Sequence, residues 1–585
     1  MSEAEAPLVF STPGGLCVRH RGRLLYSERD PSRLPKRTAA ACDRGPRRLH
    51  LVFSPLLWYG IAQLVVNMGP GSAVLCVEAD PALARLSREA MPPALSASER
   101  VSFLESDSPE EVLLHAQELG RFRAASVLAL SGGEALNSAL YDRMGALVSS
   151  EIASAWRNRA SLMVMGRLWA RNVFANLAEL PFMRLEPPPR FPGAVVVCGA
   201  GPSLEEALPF ISARRKSVSV VACDTALGSL LAAGIEPDLL VCLEAQAHNL
   251  ADFTPLGASA QRTIADLSSH PATFRAVRGP KHLSFVSFTD SPFLRRLAGV
   301  LDSLGIPYLA MPPLGSVGVH AAQLALRLAR GPVLATGLDF SFELGKTHAR
   351  GTPGILSEER RLTRTGRWNA QYEISFRPRN LEAPCPPLPD GRRLLSDPVL
   401  LSYAELLAGS LAAGSLAAGR ESEERKTEAA ALYDIRGRGP SIGAVSLTLE
   451  KAAALLDSPP LGATSLAAAN GDAEGTGQAG AAAPCAPETG LGPNGGALSA
   501  ALDGFLAAER GRLEELREAM KGRARMSPER FSARLGEADY LYWSFPDADR
   551  VKELPQDVLN RLLPEIEFWI WRIDSASGTL REELI

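Results

Sequence analysis

A chain of 585 residues is too long for one core, so roughly two to four domains are expected. Its 62 basic and 65 acidic residues leave a net charge of -3, which gives no whole-chain reason to bind nucleic acid. A content of 46% hydrophobic and 22% charged residues is that of a globular protein and excludes a disordered or fibrous one.

The start, MSEAEAPLVF, is acidic and lacks the basic-then-apolar profile of a secretion signal. Turn-rich basic sequence follows. LHLVF (49–53) then reads as a strand, LLWYGIAQLVVNMG as a helix, and AVLCVEADP (73–81) as a second strand closing on Glu78 and Asp80. The uncharged run Leu51 to Val77 is broken by Pro55, Gly60, Asn67, Pro70 and Gly71, so it is expected to fold rather than span a membrane. This βαβ rhythm predicts a Rossmann-like lobe over 1–190. Ser54-Pro55 replaces the Gly-rich first turn, which argues for a structural lobe over an active methyltransferase. The proline-rich LEPPPRFPG (185–193) is the expected joint.

Beyond it, strands are expected at 194–198, 218–223, 238–243 and 332–338, with a helix over 317–329 before the last. Strands alternating with helices imply a parallel sheet that binds at its strand C-terminal ends. AGSLAAGSLAA (408–418) reads as an irregular helix, and the Gly/Ala/Pro-rich 458–498 as a flexible linker. From 499 the pattern returns to helix, with three of the seven tryptophans in DYLYWSFP and IEFWIWRI. These predict a small helical core or, alternatively, a docking surface.

The stretch VVVCGAGPSLEEALPF (195–210) carries the first chemical signal. Gly199 and Gly201 allow a tight turn and close backbone approach, and Ser203 with Glu206 has the spacing of a capping box. A helix N-terminus there would suit a phosphate. A dinucleotide loop would need a glycine at 204, where Leu204 stands, so that reading falls. Asp224, Glu244 and Asp339 each close a predicted strand, and Gly315-Ser316 opens a helix as a second anion site. Lys346, Thr347, His348 and Arg350 share a loop flanked by glycines. Eight scattered cysteines without a CxxC are expected as reduced thiols of a cytoplasmic protein, and eight histidines without HExxH or HxxxH give no metal-ligand pattern.

Taken together, GAGPSL, ACDTALGSLLAAGIEPDLLVCLEAQ, GSVGVHAA and TGLDFSF…GKTHARGT resemble the bacterial motility-associated factor (Maf) family, most closely over 190–355. GGLCVRHRGRLLYSERDP and LYDIRGRGPSIGA look Maf-like as well. The resemblance implies an α/β chain: a Rossmann-like lobe, a central sialyltransferase-like parallel-sheet domain over 191–457, and a helical segment over 499–585. It implies transfer of a nonulosonic acid (pseudaminic or legionaminic type) from a CMP-activated donor to Ser/Thr of flagellin, in support of motility. Carried over by residue, it gives Gly199, Gly201, Pro202, Ser203, Asp224 and Ser316 to the nucleotide, and Asp339 to the catalytic strand end. Ala200 departs from the amide side chain of sialyltransferases, and Glu244 from the Asp common in Maf sequences.

For such an inverting displacement, His348 is the candidate base, and Lys346 and Arg350 would hold the donor carboxylate or leaving phosphate. No metal and no further cofactor are required by this scheme. The same domain family includes 6-hydroxymethylpterin diphosphokinases (MptE-like). An ATP- and Mg²⁺-dependent pyrophosphoryl transfer using Asp224, Asp339 and Glu244 is therefore the rival, and a non-catalytic flagellar chaperone the third reading.

Overall fold

The computed structural model describes residues 6–256, 261–286, 291–312, 314–343, 345–362, 381–383, 385–388, 390–418, 430–457, 495–546, 548, 551 and 554–576. The chain divides into two compact units, Met1–Val164 and Met165–Ile585. The proline-rich joint therefore lies inside the second.

The first unit opens with a small antiparallel sheet of β1 (Leu8–Thr12), β2 (Gly15–His20) and β3 (Arg23–Leu24). Its main sheet is parallel, in the order β6-β5-β4-β7, from β4 (Arg48–Phe53), β5 (Ala73–Glu78), β6 (Val101–Glu105) and β7 (Ala124–Val127). β4 and β5 are apolar on both faces and almost wholly buried, as a parallel sheet covered by helices requires. The helix expected from Leu56 begins only at α1 (Ile61–Asn67). The chain first turns through Ser54, Leu56 and Trp58, all at positive φ (56°, 48°, 59°), and Gly60 at 85°, none of which a right-handed helix accepts. The run Leu51 to Val77 is thus strand, turn, helix and strand. Among the described residues, no helix is long and apolar enough to cross a membrane. After β5, Asp80 caps α2 (Pro81–Glu89) by accepting from the amides of Ala82 at 2.9 Å and Leu83 at 3.4 Å.

The long α3 (Ser138–Leu177) leads into the second unit. There a nine-stranded, all-parallel sheet runs in the order β13-β12-β11-β10-β9-β8-β14-β15-β16. The expected strands are present as β8 (Ala194–Cys198), β9 (Val218–Cys223), β10 (Leu239–Cys242) and β14 (Val333–Thr336). Five were not expected: β11 (Thr263–Asp266), β12 (Lys281–Val286), β13 (Tyr308–Met311), β15 (Leu432–Asp434) and β16 (Val445–Ser446). Side chains alternate between two cores. Val195, Val197, Val221 and Val241 pack on one face with α6 (Val317–Leu328), and Val196, Val220 and Leu240 on the other with α4 (Ser203–Ala213). Between β9 and β10 lies the short α5 (Leu227–Ala232), followed by Gly234 at φ 71°, as a helix stop requires.

AGSLAAGSLAA forms the end of a regular 21-residue helix, α7 (Pro398–Ala418), because alanine and leucine outweigh its two glycines. The expected linker falls on 458–494, outside the described residues, while 495–498 already belong to α8 (Gly495–Met520). With α9 (Pro528–Glu537) and α10 (Gln556–Ala576) it forms the helical C-terminal segment. Phe174 is its hub, with ring centroids 5.2 Å from Phe293, 5.3 Å from Tyr540 and 5.4 Å from Trp569. Trp543 and Trp569 are core; Trp571 is 56% exposed.

Candidate active site

The sheet order of the second unit reverses at β8, where the chain moves outward through β9 on one side and returns as β14 on the other. Such a switch point opens a crevice at the strand C-terminal ends. A cavity of about 590 Å³ occupies it, lined by Gly199, Gly201, Asp224, Glu244, Asn249, Ser316, Asp339 and His348 among others.

Two loops form its floor by backbone-to-backbone contact. The Gly199 amide donates to Thr336 O at 2.9 Å and the Gly201 amide to Gly337 O at 2.8 Å. A Cβ at Gly199 would lie 2.3 Å from the Gly337 carbonyl, and one at Gly201 2.7 Å from Asp339 Cγ. The glycines are therefore demanded by the neighbouring loop itself, before any ligand is considered.

Asp339 then takes the place a phosphate was expected to fill. Its Oδ2 accepts the Ser203 amide at 2.8 Å, and Oδ1 accepts the Ser203 hydroxyl. The Ser203 oxygen in turn accepts from the Gly337 amide at 2.8 Å. The expected capping box does not form: Pro202 is the N-cap, no side chain caps α4 from within, and Glu206 pairs with Arg438. A carboxylate from the neighbouring strand end caps the helix instead, a favourable position for negative charge. Burial raises the Asp339 pKa, against the lowering effect of the two Ser203 hydrogen bonds.

The helix start that faces the cavity without such a plug is that of α6. Ser316 is its N-cap without a side-chain hydrogen bond, and Ser316, Val317 and Gly318 line the wall. Gly315, at φ 71°, sets up the entry.

Asp224, also in the lining, is buried and accepts the Thr225 amide at 2.9 Å. Its pKa is pushed up to about 7, first by burial and then by the neighbouring Asp252. Thr225 bridges to Asp252 through its hydroxyl at 3.1 Å. Among the described residues, no three His, Cys, Asp or Glu side chains are gathered so as to hold a metal ion.

The GKTHARGT loop is tied to the floor by the Ala349 amide, which donates to Ala200 O at 2.8 Å. His348 stands exposed at the rim with Nδ1 3.0 Å from the Thr347 hydroxyl, and the surrounding protein lowers its pKa from the usual 6.5. Of the residues singled out in the sequence, Gly199, Gly201, Asp224, Glu244, Gly315, Ser316, Asp339, Thr347 and His348 meet at this cavity. Pro202, Ser203, Lys346 and Arg350 lie off its wall. Lys346 pairs with Glu205 at 2.9 Å, and the Arg350 amide donates to the same carboxylate at 2.6 Å.

Sequence reasoning missed Thr225 and Asn249, which sit in 3₁₀ turns (Asp224–Ala226 and Ala247–Leu256) that carry no clear apolar periodicity. It also left Arg436 without a role. Arg436 is fully buried, paired with Asp434 through two bonds of 2.8 and 2.7 Å, and donates to Leu338 O at 2.6 Å, which fixes the β14 loop from behind. The alternation of arginine and glycine in IRGRG was the available signal.

The 6-hydroxymethylpterin diphosphokinase MptE-like family matches residues 171–345, the stretch that holds most of this site, in agreement with the expected MptE-like domain. An uncharacterized protein of Treponema pallidum (strain Nichols) is 31% identical over 414 residues, covering 68% of this chain and 69% of that protein. A second protein of that organism is 31% identical over 86 residues, 14% of this chain and 39% of its own length. The Maf resemblance recurs among solved structures. That of the MAf glycosyltransferase from Magnetospirillum magneticum AMB-1 aligns over 100% of this chain and 95% of its own, at 15% identity and a TM-score of 0.48. At that level the likeness carries no functional argument.

Proposed function

We propose that this chain, which belongs to one family with the Treponema pallidum protein and carries an MptE-like domain, is a glycosyltransferase that moves a nonulosonic acid from a CMP-activated donor to Ser/Thr hydroxyls of flagellin in the cytoplasm. The observation that carries this reading is the cavity at the β8/β14 switch point, where Asp224, Asp339, His348 and the open N-terminus of α6 converge. Its motifs are those of the Maf resemblance drawn from the sequence.

In this reading the donor phosphate lies at the first turn of α6, whose amides are free of a side-chain cap. The Gly199–Gly201 loop forms the floor rather than the phosphate cradle, since both glycine amides are already engaged. His348, held neutral near pH 7 by its lowered pKa, accepts the proton of the acceptor hydroxyl. The hydroxyl oxygen forms the new bond to the anomeric carbon, and the bond from that carbon to the phosphate oxygen breaks with its electron pair leaving on CMP. Arg350, exposed in the same loop, is the cation available to the donor carboxylate, whereas Lys346 is neutralised by Glu205. The test is incubation of the full chain with a CMP-nonulosonate and flagellin, read as the mass of one sugar added to intact flagellin. No mass shift under conditions where CMP binds would reject the reading.

The diphosphokinase reading is favoured by the name of the matching family. It calls for Mg²⁺, and the residues present do not fit one: Asp339 is bound to Ser203, and among the described residues Asp224, Glu244 and the neighbouring Asp252 are not gathered so as to hold a metal ion. Chromatographic detection of a pterin diphosphate from ATP and 6-hydroxymethylpterin would promote it over the transferase. A non-catalytic flagellar chaperone would be favoured if neither product formed.

A further inference from the structure

The cavity leaves the aromatic C-terminal segment without a role. Its last helix, α10, buries Trp569 and Ile573 but presents Phe568, Trp571 and Arg572 together, at spacings of three and four residues. Phe568 and Trp571 have ring centroids 6.1 Å apart. From α3, the Arg167 guanidinium stacks on Phe568 at 4.2 Å, and Arg171 follows one turn on.

The carboxylates around this patch are each held by another basic residue. Glu565 pairs with Arg167 at 3.3 Å, Glu567 with Lys521 at 2.6 Å and Asp574 with Arg510 at 2.6 Å. Arg171 is exposed and Arg572 half-buried, and among the described residues neither has a salt-bridge or hydrogen-bond partner. Each raises the positive potential at the other: burial and then Arg171 lower the Arg572 pKa. Among the described residues, these two guanidiniums beside an exposed tryptophan lack a counter-charge.

We infer that the face formed by Arg171 of α3 and Phe568, Trp571 and Arg572 of α10 docks an acidic protein segment, with its carboxylates on the two arginines and an apolar side chain on Trp571. The surroundings select this partner over a polyanion. α10 itself carries Asp557, Glu565, Glu567 and Asp574 against Arg561 and Arg572, so the two arginines form an isolated positive spot and not the extended basic stripe that a nucleic-acid backbone or an anionic bilayer needs. A discrete pair of arginines with aromatic anchors suits one or two carboxylates of a folded or helical segment.

The inference does not rest on the transferase reading and is tested by binding alone. A fluorescein-labelled helical peptide with glutamates on one face and leucines on the other is titrated with the full-length protein by anisotropy, beside a counterpart with Gln for every Glu. The glutamate peptide is expected to bind at least about tenfold more tightly, and to weaken by about tenfold in the Arg171→Gln/Arg572→Gln double variant. Trp571→Gln and Arg171→Gln, both at exposed positions, each lower affinity several-fold and serve if the double variant does not fold. Equal binding of the two peptides, or unchanged binding in these variants, overturns the inference. So does selective loss, in the same variants, of binding to phosphatidylglycerol vesicles or oligouridylate.

Discussion

Both units end a parallel strand on a tight turn beside an acidic residue, and they use that place in opposite ways. In the first unit Ser54, after β4, donates to Glu78 at 2.6 Å, and the Tyr141 hydroxyl donates to the same carboxylate at 2.8 Å. The turn closes on itself: a Cβ at Gly133 would lie 2.0 Å from the Ser54 oxygen. Burial raises the Glu78 pKa, and its hydrogen bonds to Ser54, Asp80 and Tyr141 oppose the rise. In the second unit the loops after β8 and β14 meet through glycines in mutual backbone contact, and a cavity opens beside them. The same architecture thus closes its strand ends with side chains in the first unit and leaves a cavity beside them in the second. Phe340, at φ 47° on the cavity wall, shares with Leu56 and Trp58 of the first unit a left-handed backbone that bulky residues rarely adopt.

The comparison is sharpened first by His348→Ala, which is expected to lower transfer by about 10²- to 10⁴-fold while CMP binding persists; single-turnover kinetics with CMP titration checks both. The acid limb of the wild-type pH profile is expected below the usual histidine value of 6.5. Next, Arg436→Ala leaves Asp434 buried without its partner and frees the Leu338 carbonyl. A loss of about 3–5 kcal/mol is expected in denaturant unfolding of the second unit's transition. Gly199→Ala forces its Cβ against the Gly337 carbonyl and should cost about 1–3 kcal/mol, with CMP affinity reduced because the floor moves. Glu78→Gln removes a satisfied acceptor from the first unit, with an expected loss of about 1–3 kcal/mol and unchanged CMP affinity. A fall in CMP affinity there would break the distinction between plugged and open strand ends.

The pH dependence of stability offers a smaller and separate check. Asp224 has a folded pKa of about 7, far above the usual carboxylate value of about 3.9. Its protonated form is the one the fold favours, so this contribution is complete below about pH 4 and is lost as pH rises through about 7. Asp224→Asn should flatten the decline of Tm between those values; an unchanged slope would place the buried charge elsewhere.

Strands β8, β9, β10 and β14 were legible because each is a largely apolar run followed closely by a glycine or acidic residue. β11, β12 and β13 were not, since TIAD, KHLSFV and YLAM mix polar residues into short segments whose partners alone make them strands. At the site, Gly199, Asp224, Ser316 and His348 could be picked out from their places after strands and before helices. What could not be read was that Asp339, 136 residues away, would cap the helix at Ser203 and displace the expected capping box. That contact depends on β14 lying beside β8, a tertiary fact with no local signature. The same holds for Lys346, whose charge suggested a ligand role and whose partner is Glu205.

The measurement that tests the central claim most directly is calorimetric titration of the full chain with CMP, and separately with ATP and Mg²⁺, on the wild type, Asp224→Ala and Glu78→Gln. The account predicts one CMP site, lost or strongly weakened in Asp224→Ala and intact in Glu78→Gln, with no comparable ATP binding. CMP heat abolished by Glu78→Gln but not by Asp224→Ala, or binding of ATP with Mg²⁺ in place of CMP, would contradict it.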